Sequence, residues 1–194
     1  MSRVWHHEER SDEAISILGM EDCLALLAMT WSHDLRDAVG GMRKPVVVLG
    51  LGNPLMGDEG IGVYLVERLM ESADEYPSVD FIDAGTGGLS ILHPIEDRRK
   101  AIIIDCAFMD EQAGTIRRFL PDEVRSTKAL AHQSLHEADL MRIIAMARQL
   151  GQAPDEVVIL GIQPERVEPG QGLSRTLSDR IDEYISMIRR ELGT

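Results

Sequence analysis

The hydrophobic positions after residue 45 alternate between two patterns along the chain, continuous apolar runs and apolar residues at helical spacing. The runs are rich in β-branched residues and predict buried strands at residues 46–50, 101–106 and 157–162. A further strand is predicted at residues 79–83, and a shorter edge strand within 114–120. The helical spacing predicts helices at residues 58–73, 89–93, 135–150 and 174–192, the second of them stopped by Pro94. Strands that alternate with helices indicate an α/β sheet with parallel strands.

Residues 1–45 show a different pattern. Their apolar positions fall on one face of a helix that ends at a pair of glycines, and these positions are Leu24, Leu27, Ala28, Trp31 and Leu35. The sequence therefore predicts a helical extension over residues 1–45 and a single α/β domain over residues 46–194. Because Met42 directly precedes the first strand, the natural start of the chain can also lie there.

Composition and charge narrow the class of protein. The formal net charge of -13 and the pI near 4.8 disfavour a nucleic-acid backbone or an anionic membrane as partner, because both would be repelled. The start of the chain lacks a signal-peptide pattern, and the apolar stretch at residues 23–31 is too short to span a bilayer. Cys23 and Cys106 form no C-x-x-C pair, so neither a disulfide framework nor a thiolate zinc site is indicated, and Cys106 is predicted to be a core residue. We expect a cytoplasmic protein with no nucleic-acid partner and no membrane insertion.

The candidate chemistry begins in the loop between the first strand and the first helix, where residues 50–63 read GLGNPLMGDEGIGV. This loop fails as a dinucleotide fingerprint because Leu55 stands at the third glycine position. It also fails as a nucleotide-triphosphate loop because Asp58 and Glu59 replace the lysine and the hydroxyl residue. At a helix amino terminus two ionised carboxylates are stabilised by free N–H groups, which suits the binding of a metal cation. A structural interpretation is also open, in which Asp58 is the helix N-cap and Glu59 a first-turn acid, and we adopt the cap for Asp58.

Two further polar residues are predicted to reach the same edge of the sheet. Asp83 ends the second strand and precedes a glycine-rich turn, and His132 lies just before the helix at residues 135–150. Glu59, Asp83 and His132 could therefore meet, and two carboxylates with one imidazole leave positions open on a divalent ion. Each residue also has a structural alternative, since an Asp before glycines often caps a turn and a lone histidine in a loop more often forms hydrogen bonds.

The segment at residues 50–63 resembles the opening motif G-x-G-N-x-L-x-x-D-[DE]-G-x-G of the hydrogenase maturation proteases, the endopeptidases that process nickel-iron hydrogenase large subunits. Three further segments agree in order, namely DAGT at 83–86, AHQ at 131–133 ahead of a helix, and LGIQPE at 160–165 followed by EP at 168–169. The likeness covers residues 46 to about 190. It implies a three-layer α/β fold, with a twisted, mainly parallel five-stranded sheet between helices.

The resemblance also implies the site residues. In that family the second acid of the D-[DE] pair, the Asp of the D-[AG]-G-T turn and the His of the H-Q element bind a metal. In this chain they correspond to Glu59, Asp83 and His132, which we expect to be the catalytic and metal-binding residues. His136 offers a competing imidazole, although the S-x-x-E capping box at 134–137 places it inside the helix.

The implied activity is removal of a carboxyl-terminal extension from a nickel-iron hydrogenase large-subunit precursor after nickel insertion, with nickel as the recognition signal. The three residues would hold a divalent ion that activates the scissile carbonyl or a water, or would dock on nickel held by the precursor. Gly52 and Gly85 would let an extended substrate backbone approach closely. Two other functions remain open, a noncatalytic nickel-binding chaperone that uses the same triad and a dinucleotide-binding oxidoreductase that uses Gly50, Gly52 and Asp83.

Overall fold

The computed structural model describes residues 43–126 and 135–193. The predicted extension over residues 1–45 falls almost wholly outside this range, and so does His132. The division of the chain into residues 1–45 and 46–194 therefore stays a prediction.

The described part of the chain contains a sheet of five strands. They are β1 (Val46–Gly50), β2 (Val79–Asp83), β3 (Lys100–Cys106), β4 (Ile116–Phe119) and β5 (Glu156–Ile162). Their order across the sheet is β2-β1-β3-β5-β4, with β4 antiparallel to β5 and the other pairs parallel. The predicted mainly parallel sheet is thus confirmed, including the edge position of its short strand.

Helices connect these strands. The α-helices are α1 (Ile61–Met70), α2 (Leu92–Ile95), α3 (Pro121–Ser126), α4 (Leu135–Gln149), α5 (Arg175–Ser178) and α6 (Ile181–Leu192). Short 3-10 helices span Asp58–Gly60, Ala73–Glu75 and Gly88–Ile91. Among the described residues, no helix combines the length and the apolar character needed to cross a bilayer.

Two predicted helix boundaries were wrong. Pro94 lies inside α2 instead of ending it, because the first turn of a helix does not use the N–H that proline lacks. The helix predicted at the end of the chain is divided into α5 and α6, and the Ser174 side chain caps the first of these by accepting the Leu177 N–H at 3.4 Å.

The sheet is covered on both faces, which explains why β1, β3 and β5 are buried along almost their whole length. Alternate residues of these strands pack on one side with α1, α5 and α6, through residues that include Leu65, Leu69, Leu177, Tyr184 and Ile188. The other residues pack with α2 and α4, through Ile95, Leu140, Met141, Ile143, Ile144 and Ala147. Cys106 lies in the first of these clusters and is buried, as predicted. The described domain therefore has the three layers expected from the sequence.

Helix α1 begins directly against the sheet because glycine leaves room for it. A Cβ atom at Gly62 would lie 2.3 Å from the carbonyl oxygen of Leu51 and 2.4 Å from that of Ile104. No side chain fits at such distances. The first turn of α1 is consequently fixed against the carboxyl ends of β1 and β3.

Tyr184 joins α6 to the turn before β4. It is fully buried, and its hydroxyl donates a hydrogen bond of 2.8 Å to the carbonyl oxygen of Gly114. Burial raises the pKa of Tyr184 to about 12, because a buried phenolate is poorly solvated.

We expect Tyr184→Phe to lower the free energy of unfolding at pH 7 by roughly 1–2 kcal/mol, because the Gly114 carbonyl loses its donor. As the pH rises above 10, an unfolded tyrosine releases its proton before the folded one does, so the wild type loses stability in the range from pH 10 to 12. The Tyr184→Phe variant should lose less stability between pH 10 and 12, because it has no hydroxyl at this position to titrate. Urea unfolding of both proteins from pH 7 to 11 measures the difference, and an identical pH dependence would contradict the titration of Tyr184 described here.

Candidate functional site

The loops after β1, β2 and β5 are joined by backbone hydrogen bonds at the carboxyl edge of the sheet. The Gly52 N–H donates to the carbonyl oxygen of Gly85 at 2.7 Å, which ties the first loop to the second. The Gly57 N–H donates to the Gly170 carbonyl at 3.0 Å, and the Gly170 N–H donates to the Leu55 carbonyl at 2.9 Å. Carboxyl edges of this kind are where open α/β sheets bind their ligands.

Glu59 is brought to this edge by the 3-10 helix Asp58–Gly60, and its side chain is half-buried. Gly52 has a φ of +132°, and a Cβ atom on it would lie 1.8 Å from the carbonyl oxygen of Glu59. Only glycine meets both conditions. The group that approaches Gly52 is thus the chain's own backbone, whereas the sequence predicts a substrate backbone there. This contact also fills the position beside Gly52 at which a dinucleotide fingerprint holds a pyrophosphate.

Asp83 ends β2 on the loop adjacent to Gly52. Its side chain is exposed, and its Oδ1 accepts the N–H of Gly85 at 2.8 Å. This is the turn-capping contact that the sequence leaves open as the structural alternative for Asp83. Asp83 and Glu59 therefore lie on neighbouring, hydrogen-bonded loops.

The third predicted site residue, His132, lies outside the described residues, as do the side chains of residues 135–139, which include His136. Within 43–126 and 135–193, no group of three His, Cys, Asp or Glu side chains is placed to hold a metal ion. The structure thus brings two of the three predicted residues to one edge and leaves the triad as a prediction.

Asp58 does not cap its helix, so this prediction was wrong. The N-cap position of the 3-10 helix is Gly57, and the Asp58 carboxylate is fully buried against the loop after β5. Its Oδ2 accepts the N–H groups of Glu165 at 2.9 Å and Arg166 at 3.1 Å, and its Oδ1 accepts that of Ser174 at 2.6 Å. The carboxylate satisfies backbone donors far along the chain instead of those of its own helix.

Gln163 performs a similar task for the loop after β3. Its side chain is buried, and its Oε1 accepts the N–H of Met109 at 2.7 Å. Its backbone N–H donates to the Thr115 carbonyl at 2.8 Å. The glutamine of the LGIQPE segment, directly after β5, therefore holds the segment that connects β3 to β4.

Asp105 is a further candidate, which no sequence motif marks. It lies near the carboxyl end of β3 opposite Gly161 of β5, and its side chain is 4% exposed. The preceding residue, Ile104, accepts the Leu51 N–H at 2.8 Å, so Asp105 lies beside the start of the loop that carries Glu59. Removing a carboxylate from water is costly, and such groups are concentrated at functional sites. The available signal was a single charged residue in the apolar run at residues 101–106.

The family model described as "Hydrogenase maturation protease" matches residues 63–191. The "Hydrogenase expression/formation protein HoxM" of Cupriavidus necator is 31% identical over 150 residues, which cover 75% of this chain and 74% of the relative. The "Hydrogenase 2 maturation protease" of Escherichia coli is 30% identical over 143 residues, which cover 74% of this chain and 87% of the relative.

Solved structures agree with these relatives. The hydrogenase maturating endopeptidase HybD from E. coli superposes with a TM-score of 0.66 at 28% identity, over 76% of this chain and 91% of that one. Fold and relatives together define a small α/β peptidase. The chain belongs to the hydrogenase maturation protease family, which confirms the resemblance inferred from its sequence motifs.

We expect Gly52→Ala to lower the free energy of unfolding by more than about 3 kcal/mol, because the added Cβ overlaps the Glu59 carbonyl and the backbone at φ +132° is strained for alanine. A matched control is Gly151→Ala, which has a φ of +68° and open space around its Cβ, and should cost about 1 kcal/mol. Denaturant unfolding measures the loss of stability in both variants. Equal losses in the two variants would show that the Glu59 contact does not determine the residue at position 52.

Proposed function

We propose that this chain is an endopeptidase that removes a carboxyl-terminal extension from a nickel-iron hydrogenase large-subunit precursor after nickel insertion. Membership of the hydrogenase maturation protease family supports the class of reaction. The observation that carries the site is the pair of hydrogen-bonded loops that bring Glu59 and Asp83 to one sheet edge. A substrate chain could reach this edge, since Asp83 is exposed and Glu59 is only half-buried.

The donor groups fit a divalent metal. Glu59 and Asp83 supply carboxylate oxygens, and His132 would supply an imidazole nitrogen, a set that leaves positions open for substrate. When bound, such an ion polarises a scissile carbonyl or lowers the pKa of a water. These donors could bind either a divalent ion resident in the protease or the nickel that the precursor carries.

Asp105 competes with Asp83 for the second carboxylate position. Asp83 is exposed and already holds its turn through Oδ1, whereas Asp105 is buried in the central strand β3, which contacts the 3-10 helix that carries Glu59. A cation is attracted more strongly by a carboxylate in surroundings of low dielectric constant than by one in water. This argument supports Asp105, and the sequence resemblance supports Asp83.

Single substitutions test the site and separate these two carboxylates. We expect wild-type protein to release a carboxyl-terminal peptide from nickel-loaded precursor, detected by mass spectrometry, and Glu59→Gln or His132→Ala to slow release roughly 100-fold or more, since each would remove a metal ligand. Of Asp83→Asn and Asp105→Asn, the variant that loses activity to the same extent identifies the second carboxylate. Asp182→Asn, on the exposed face of α6, is the matched control and should release peptide at the wild-type rate.

Each result has an opposing outcome. Release by Glu59→Gln at the wild-type rate would rule out the proposed site. A wild-type protein that binds nickel but releases no peptide would favour the noncatalytic chaperone over the protease.

Dependence on nickel is tested with the precursor. We expect peptide release from nickel-loaded precursor and none from nickel-free precursor, because nickel is proposed to be the recognition signal. If protease dialysed free of metal still processes the loaded precursor, the precursor supplies the ion. Equal release from both precursors would contradict recognition through nickel.

A further inference from the structure

Two acidic residues that are adjacent in sequence have opposite surroundings. Glu59 is partly exposed at the sheet edge, whereas Asp58 is 0% exposed. The Asp58 carboxylate is surrounded by three backbone N–H groups at 2.6–3.1 Å. Among the ion pairs of the described residues, none involves Asp58. Backbone amides therefore stabilise this buried charge, which is a form of charge-assisted hydrogen bonding.

The three donors belong to both ends of one loop, residues 163–174. Glu165 and Arg166 lie near its start, and Ser174 is its last residue. Two isolated β-bridges, Met56 to Gly170 and Gly57 to Val167, attach the middle of the same loop to the segment before Asp58. The loop and the 3-10 helix Asp58–Gly60 are consequently held together at several points, with the Asp58 carboxylate at the centre of the contact.

We propose that Asp58 is a positioning residue for Glu59. It holds the 3-10 helix against the loop at residues 163–174 from one side, while the contact between Gly52 and the Glu59 carbonyl holds it from the other. With its backbone fixed on both sides, Glu59 keeps one orientation toward the sheet edge. This inference rests on the role proposed above for Glu59, and Asp58 itself touches neither substrate nor metal because it is fully buried.

The substitution Asp58→Asn tests the charge with almost no change in shape. The amide oxygen can still accept the N–H groups of Glu165 and Arg166, but the amide NH₂ would then face the N–H of Ser174. Donors would face donors, so the loop should separate from the 3-10 helix at that end.

The experiment uses full-length protein and nickel-loaded precursor at a temperature below the unfolding midpoint of every variant. For Asp58→Asn we expect kcat to fall about 10- to 100-fold with KM changed less than about threefold, as for residues that orient metal ligands. Hydrogen exchange of the Ser174 amide should become faster. Glu123→Gln is the matched control, because Glu123 also accepts a backbone N–H, that of Leu120 at 2.7 Å, outside the loops that form this edge. Its kcat should equal that of the wild type.

A second variant acts from the loop side. Glu165→Pro removes one donor and leaves the Asp58 side chain in place, so it should also lower kcat, by a smaller factor. It serves as the test if Asp58→Asn does not fold.

Wild-type kcat in Asp58→Asn, despite faster exchange, would overturn the inference alone, because the role of Asp58 would then be structural only. A raised KM at unchanged kcat would also overturn it, since the loop would then dock the precursor. A wild-type protein that releases no peptide would overturn the proposed function, and this inference with it.

Discussion

The buried carboxylate of Asp58 is the interaction on which the carboxyl edge of this domain depends. Burying a charge is costly unless its hydrogen-bonding capacity is filled, and here three backbone N–H groups fill it. The same contact satisfies three backbone donors of the loop at residues 163–174. The buried carboxylate without donors, or the buried N–H groups without an acceptor, would each be destabilising. Together they hold the loop at residues 163–174 against the 3-10 helix that carries Glu59. The adjacent acids of the D-[DE] motif therefore have separate tasks, one inside the protein and one at its surface.

The sheet could be predicted from the sequence because buried parallel strands are continuous apolar runs, and β1, β3 and β5 lie within one residue of the predicted bounds. The edge position of β4 was predictable from its shortness and polarity. Helix ends were less predictable, since the break between α5 and α6 has no proline or glycine to signal it. A local pattern therefore shows which residues are buried, but not which distant groups they contact.

The site was harder to predict for the same reason. Rules for helix caps assign Asp58 to the nearest free N–H groups, but its true partners are 107 to 116 residues away. Asp83 was predicted because it precedes a glycine turn, whereas Asp105 was not considered because a single charge in an apolar run resembles an ordinary strand end. The fold and the family define a peptidase, while the assignment of roles among Glu59, Asp83, Asp105 and His132 depends on side-chain chemistry that a fold does not specify.

The long separation between Asp58 and its donors has a consequence for biosynthesis. A ribosome adds about 5–20 residues per second, so the amides that bind Asp58 are synthesised roughly 5–20 seconds after the aspartate itself. During that interval β1, α1 and β2 can pack together, but the loop at residues 163–174 is not yet present to hold the 3-10 helix that carries Glu59. The edge that carries Glu59 is therefore completed only late in the synthesis of the chain.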